Sequence, residues 1–96
     1  MTTYPSPDAA LISAFRKPYF PAVRAWLATG ATSPETRTRL FDETLTSYES
    51  EARGSECGLY AERIRVLLAN GDRPSHDNWS GPAAWLLAEL DGARVS

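Results

Sequence analysis

The sequence predicts an all-α fold, a compact single-domain bundle of four to five short helices, and three observations carry that prediction. Apolar residues recur at helical spacing, most clearly across Ser55–Asp72. Pairs of a hydroxyl residue and proline, Ser6-Pro7 and Ser33-Pro34, read as helix starts, and Gly30, Gly71 and Gly92 read as helix stops. No run of alternating residues calls for a strand. Ninety-six residues suffice for one core and not for two, and an apolar fraction of 43% with ten aromatic residues argues against a disordered chain.

The first helix is expected from Ser6-Pro7-Asp8, a hydroxyl cap, a proline at the first helical position and an acid near the positive end of the dipole. It carries Leu11, Ile12, Ala14 and Phe15 and must end near Lys17, because Pro18 pushes the preceding residue out of the α region. After the stiff connector Lys17–Pro21, a second helix runs from Pro21 to Gly30, with Phe20, Val23, Trp26 and Leu27 on one side and Arg24 on the other. Ser33-Pro34-Glu35 opens the third and longest helix, expected from Pro34 to about Arg53. Its apolar stripe is narrow (Phe41, Leu45, Tyr48, Ala52) and its other sides are polar, which predicts a surface helix. Glu35–Arg39, Arg39–Glu43 and Glu49–Arg53 stand at i, i+4, each pair adding about 0.2–0.5 kcal/mol to a helix.

The helix in Ser55–Asp72 has the clearest stripe: Cys57, Tyr60, Ala61, Ile64, Leu67 and Leu68 share one face, and Asn70-Gly71 closes it. Leu59 and Val66, seven apart, lie together on nearly the opposite face. A two-faced helix is either packed by neighbours front and back or presents its second face to a partner. The short break at Arg53-Gly54-Ser55 predicts an antiparallel hairpin with the third helix. Gly71–Gly81 is the longest loop, and Ser80-Gly81-Pro82 starts the last helix, with Ala83, Leu86, Leu87 and Leu90 in register, Trp85 off the stripe and Gly92 as the stop. Frayed ends are expected at about residues 1–5 and 93–96.

Charge is unevenly placed. Residues 1–40 hold five basic residues against two acidic ones, and residues 41–62 hold six acidic residues against Arg53, within an overall charge of −2. No apolar run is long enough to span a bilayer, and the N-terminal MTTYPSPD lacks the basic and apolar regions of a secretory signal, so a cytoplasmic location is expected. The single cysteine fits that expectation.

Nothing in the sequence composes a catalytic or cofactor site. Ser75-His76-Asp77 spells a catalytic trio only as text, because consecutive side chains diverge whereas a working triad converges from separate positions. Cys57 sits on an apolar stripe with no histidine in reach by spacing, and one His with one Cys leaves no zinc site. The glycines stand singly at helix ends and form no phosphate loop. The expectation is no enzyme, no metal and no cofactor.

Two binding classes remain. The first is a protein-interaction module. Its candidate residues are the acidic face Asp42, Glu43, Glu49 and Glu51, and the apolar residues Leu59, Val66, Trp79 and Trp85, aromatic side chains being the usual anchors of interfaces. The second is a nucleic-acid binder using Arg16, Lys17, Arg24, Arg37 and Arg39, interleaved with Tyr19, Phe20 and Trp26 as stacking surfaces. An isoelectric point near 5.3 weighs against general nucleic-acid affinity. In length, acidity and absence of chemistry the chain resembles the small inhibitor proteins of phages and mobile elements, anti-CRISPR proteins among them. That resemblance of kind implies a protein that occludes a partner, a nucleic-acid-handling complex being the specific expectation. The sequence does not choose between a monomer and a homodimer joined through Leu59 and Val66.

Overall fold

The computed structural model describes residues 6–50 and 57–95, with side chains for 6–50 and 58–92, and among these residues five α-helices follow one another with no strand. Helix α1 spans Pro7–Arg16, α2 Phe20–Thr29, α3 Pro34–Ser50, α4 Cys57–Ala69 and α5 Gly81–Val95. No helix among the described residues is long and apolar enough to cross a membrane.

The start of α1 is set as its cap residues dictate. Ser6 is extended (φ −161°, ψ 160°), its Oγ accepts from Ala9 N at 3.1 Å, and Pro7 fills the first helical position, where no N–H is needed. Asp8 does more than answer the helix dipole. Its carboxylate accepts from Ser33 N (2.7 Å), Ser33 Oγ (2.8 Å) and Thr36 Oγ1 (3.0 Å), which ties the start of α1 to the start of α3. The hydrogen bond from the Ser33 backbone is the first cause holding this carboxyl below the ordinary aspartate value of 3.8. Ser33 Oγ also accepts from Thr36 N (3.3 Å), capping α3.

Glycine ends two of the helices. Gly30, at φ +70°, turns the chain out of α2 and donates to Leu27 O at 3.3 Å. Helix α4 ends in a Schellman motif: Gly71 (φ +92°) donates to Leu68 O at 2.9 Å and Asp72 N to Leu67 O at 3.0 Å. That turn delivers the Asp72 carboxylate to Arg37 near the start of α3, at 2.8 Å. The start of α3 therefore lies beside the end of α4, and the two helices form the expected antiparallel hairpin. Gly92 does not stop α5, which continues to Val95. A glycine inside a helix costs about 1 kcal/mol but ends it only when a left-handed turn follows.

Helix α3 departs from the expectation of a surface helix. It packs on both α4 and α5, and Leu40 and Thr44 are buried beside Phe41 and Leu45. Thr44 is admitted to the interior because its hydroxyl donates to Leu40 O at 2.6 Å, leaving its methyl to pack. Of the three i, i+4 ion pairs, Arg39–Glu43 is present at 3.9 Å and Glu35–Arg39 is not formed, Arg39 having turned to Glu43; Arg53, the partner expected for Glu49, and Ala52 fall outside the described residues. The fully buried large side chains, Phe41, Leu45, Ile64, Leu67, Leu68, Leu11 and Val23, come from α1 through α4, and Ala83, Leu86 and Leu90 of α5 close the same core.

Candidate interaction surfaces

The acidic face is only partly available. Glu43 and Glu49 are exposed, but Asp42 is half-buried and its Oδ1 accepts from Ser75 N at 3.0 Å, so this carboxylate anchors the α4–α5 loop. Glu51 lies outside the described residues. The loop is held elsewhere too. Arg73 pairs with Asp91 of α5 at 2.9 Å, an interaction that raises the Arg73 pKa above its ordinary value. His76 stacks on Trp79 with ring centroids 4.8 Å apart and accepts from Asn78 N through Nδ1 at 3.1 Å. Ser75, His76 and Asp77 are all exposed, and among the described residues no group of three His, Cys, Asp or Glu side chains is placed to hold a metal ion.

The four apolar candidates separate. Val66 is 6% exposed and belongs to the core, so it offers nothing to a partner. Leu27 of α2 shares that core with Val66, Ala28 faces Val66 and Asn70 across a shallow cleft, and Arg24 Nη2 meets Glu62 Oε1 at 3.4 Å. This contact runs along α4 from Glu62 onward and stops short of Leu59, which is 38% exposed. Trp79 packs against the core, with its Nε1 buried and without an acceptor among the described residues. Trp85 stands 62% exposed on the outer face of α5. Its helical neighbours on that face are Pro82, Ala88 and Gly92, exposed and uncharged, and Glu89, one turn on at i+4 and exposed. Tyr19, at the α1–α2 corner, is equally bare at 61%.

The five basic candidates divide as well. Arg37 is withdrawn from any nucleic-acid surface: only 18% of its side chain is exposed, Nε donates to Asp72, and Nη1 donates to Thr32 O and Oγ1. It braces the turn before α3 against the end of α4. Arg24 pairs with Glu62 and Arg39 with Glu43, while Arg16 and Lys17 are exposed at the end of α1.

One arginine that charge patterning passes over is the most deeply placed. Arg63 of α4 is 8% exposed. Its Nε donates to Phe15 O at 3.1 Å, capping the last turn of α1, and its guanidinium lies over the rings of Tyr60 (5.2 Å) and Phe15 (5.8 Å). It borders a solvent-open cleft of about 190 Å³ between α1, α3 and α4, walled by Phe15, Leu40 and Tyr60 and edged by Thr44 and Ser47. No carboxylate of the described residues lies within ion-pair distance of Arg63. The spacing that would have flagged it is invisible in the chain, because its hydrogen-bond partner is 48 residues away.

Comparison of the chain with family models, with curated proteins and with solved structures gives no match, so no residue inherits a role from a relative.

Proposed function

We propose that the protein is a non-catalytic protein-binding module, an inhibitor or adaptor that acts by covering a surface of its partner, with Trp85 as the anchor of the contact. The carrying observation is the exposure of that indole on a helix face where Pro82, Ala88 and Gly92 are small or apolar and Glu89 is the single charge. A bare Trp flanked by small residues, with one carboxylate beside it at Glu89, has the composition of an interface anchor: a large rigid side chain to bury and one acidic group to meet a polar or basic rim. Exposed Glu43 and Glu49 on α3 supply acidic groups that steer approach to a basic partner.

The test is affinity capture from the source cells with the wild-type chain, Trp85→Ala and the double charge reversal Glu43→Lys/Glu49→Lys in parallel. One partner retained by the wild type and lost with Trp85→Ala is the expected result, with a slower on-rate for the charge reversal. A partner captured equally by all three chains would remove α5 from the proposal. The nucleic-acid reading is weaker, because three of its five cations are already engaged with carboxylates. Saturable DNA or RNA binding lost on Arg16→Ala would restore it.

A further inference from the structure

We infer that the cleft beside Arg63 is a binding site for a monoanionic carboxylate carried on an apolar body. Arg63 as a residue is 8% exposed, so its charge has little water around it except where the cleft reaches it, and a charge so placed is ordinarily matched by an opposite one. Arg63 has a backbone carbonyl at Nε and two aromatic faces, yet no carboxylate among the described residues. Trp79 Nε1 is the buried side-chain polar atom without a partner among those residues, so the Nη groups of Arg63 are not sealed in; they are reached from the cleft that Arg63 lines. With Nε occupied, the two Nη atoms present the end-on fork that accepts both oxygens of one carboxylate.

The class of anion follows from the rest of the lining. Arg16 and Arg63 supply positive charge, and Glu43, which also faces Arg39 at 3.9 Å, sets a carboxylate at the rim, so one added negative charge is accepted more readily than two. A phosphate dianion brings a second negative charge toward Glu43. The walls contributed by Phe15, Leu40 and Tyr60 favour an apolar body behind the carboxylate. The volume of about 190 Å³ is sufficient, since a cavity of about 150 Å³ takes a benzene ring. Ser47 stands at the edge of the same cleft. This site stands apart from Trp85 and does not depend on it.

The experiment is a titration of the full, isotopically labelled chain with benzoate and, separately, inorganic phosphate at constant ionic strength, followed by two-dimensional NMR. Benzoate should give saturable shifts at the Arg63 side-chain N–H and at the Ser47 and Tyr60 amides, and phosphate should bind more weakly. Arg63→Gln should weaken benzoate by about tenfold or more, the size expected for losing a charge-assisted pair, while Arg24→Gln binds as the wild type does. Should Arg63→Gln fail to fold, Ser47→Phe fills the cleft edge from a half-exposed position and must abolish the same shifts. Absence of saturable shifts around Arg63, shifts shared equally by Arg16, Lys17 and Arg24, tighter binding of phosphate, or benzoate binding that survives Ser47→Phe would each overturn the assignment.

Discussion

The two ends of the α3–α4 hairpin are built around the same kind of residue and come out differently. At one end Arg37 reaches across to a backbone carbonyl, Thr32 O, and to the Asp72 carboxylate. At the other, Arg63 reaches across to a backbone carbonyl, Phe15 O, and no described carboxylate answers it. Both arginines hook a neighbouring turn onto the hairpin. Among the described residues, only the first has a carboxylate to balance its charge. A satisfied ion pair makes an end that holds the fold together, and an unbalanced one makes an end that can still take something up.

The largest effect expected from this contrast is at the closed end. Arg37→Ala leaves Asp72 and Thr32 without their partner and should cost about 2–3 kcal/mol in chemical denaturation, in the range for hydrogen bonds to charged groups. Arg37→Ala combined with Asp72→Asn should cost less than the sum of the two, and simple additivity would show that the pair is not coupled. Gly71→Ala forces a side chain into the left-handed turn that delivers Asp72 and should cost about 1–2 kcal/mol. Arg63→Gln loses one hydrogen bond and its aromatic contacts but also removes a desolvated charge with no described carboxylate, an offset that should bring the net cost down to about 1 kcal/mol. A loss matching that of Arg37→Ala would erase the distinction between the ends. Trp85→Ala, far from both, should stay within about 0.5 kcal/mol in the same measurement.

Asp8 makes the closed end acid-sensitive. Its carboxyl is lowered below 3.8, chiefly by the Ser33 backbone and further by the Ser33 and Thr36 hydroxyls and by Arg37. A group with a depressed folded pKa stabilises above its unfolded value, and that contribution fades as pH falls through the folded one. Asp8→Asn should therefore be less stable than the wild type at neutral pH, and the gap should shrink below about pH 3.8. A gap that is constant with pH would mean that Asp8 acts by packing and not by charge.

The sequence anticipated what depends on neighbours in the chain. Ser6-Pro7, Ser33-Pro34, Gly30 and Asn70-Gly71 mark helix ends whose caps are local, and the structure places the ends there. It did not anticipate what depends on which helix lies across another. Leu59 and Val66 share a direction on α4, yet Val66 joins the core beside Leu27 and Leu59 stays exposed. Thr44 looks like a surface residue until its hydroxyl is spent on Leu40 O. Arg37 and Arg63 show the limit most plainly. The first sits in a basic segment and read as a nucleic-acid contact, and the second drew no site reading at all, but each is placed by a partner 35 or 48 residues away.

Trp85 has a consequence for observing the molecule as well as for its contacts. Three indoles occupy three settings: Trp26 half-buried, Trp79 packed against His76 with its N–H sealed, and Trp85 in water. A collisional quencher such as acrylamide should darken Trp85 first, so the wild-type chain reports on α5 without a label. Occupation of that face by a partner should appear as a blue shift with loss of quenching. The residue proposed to make the contact is also the one that lights when the contact is made.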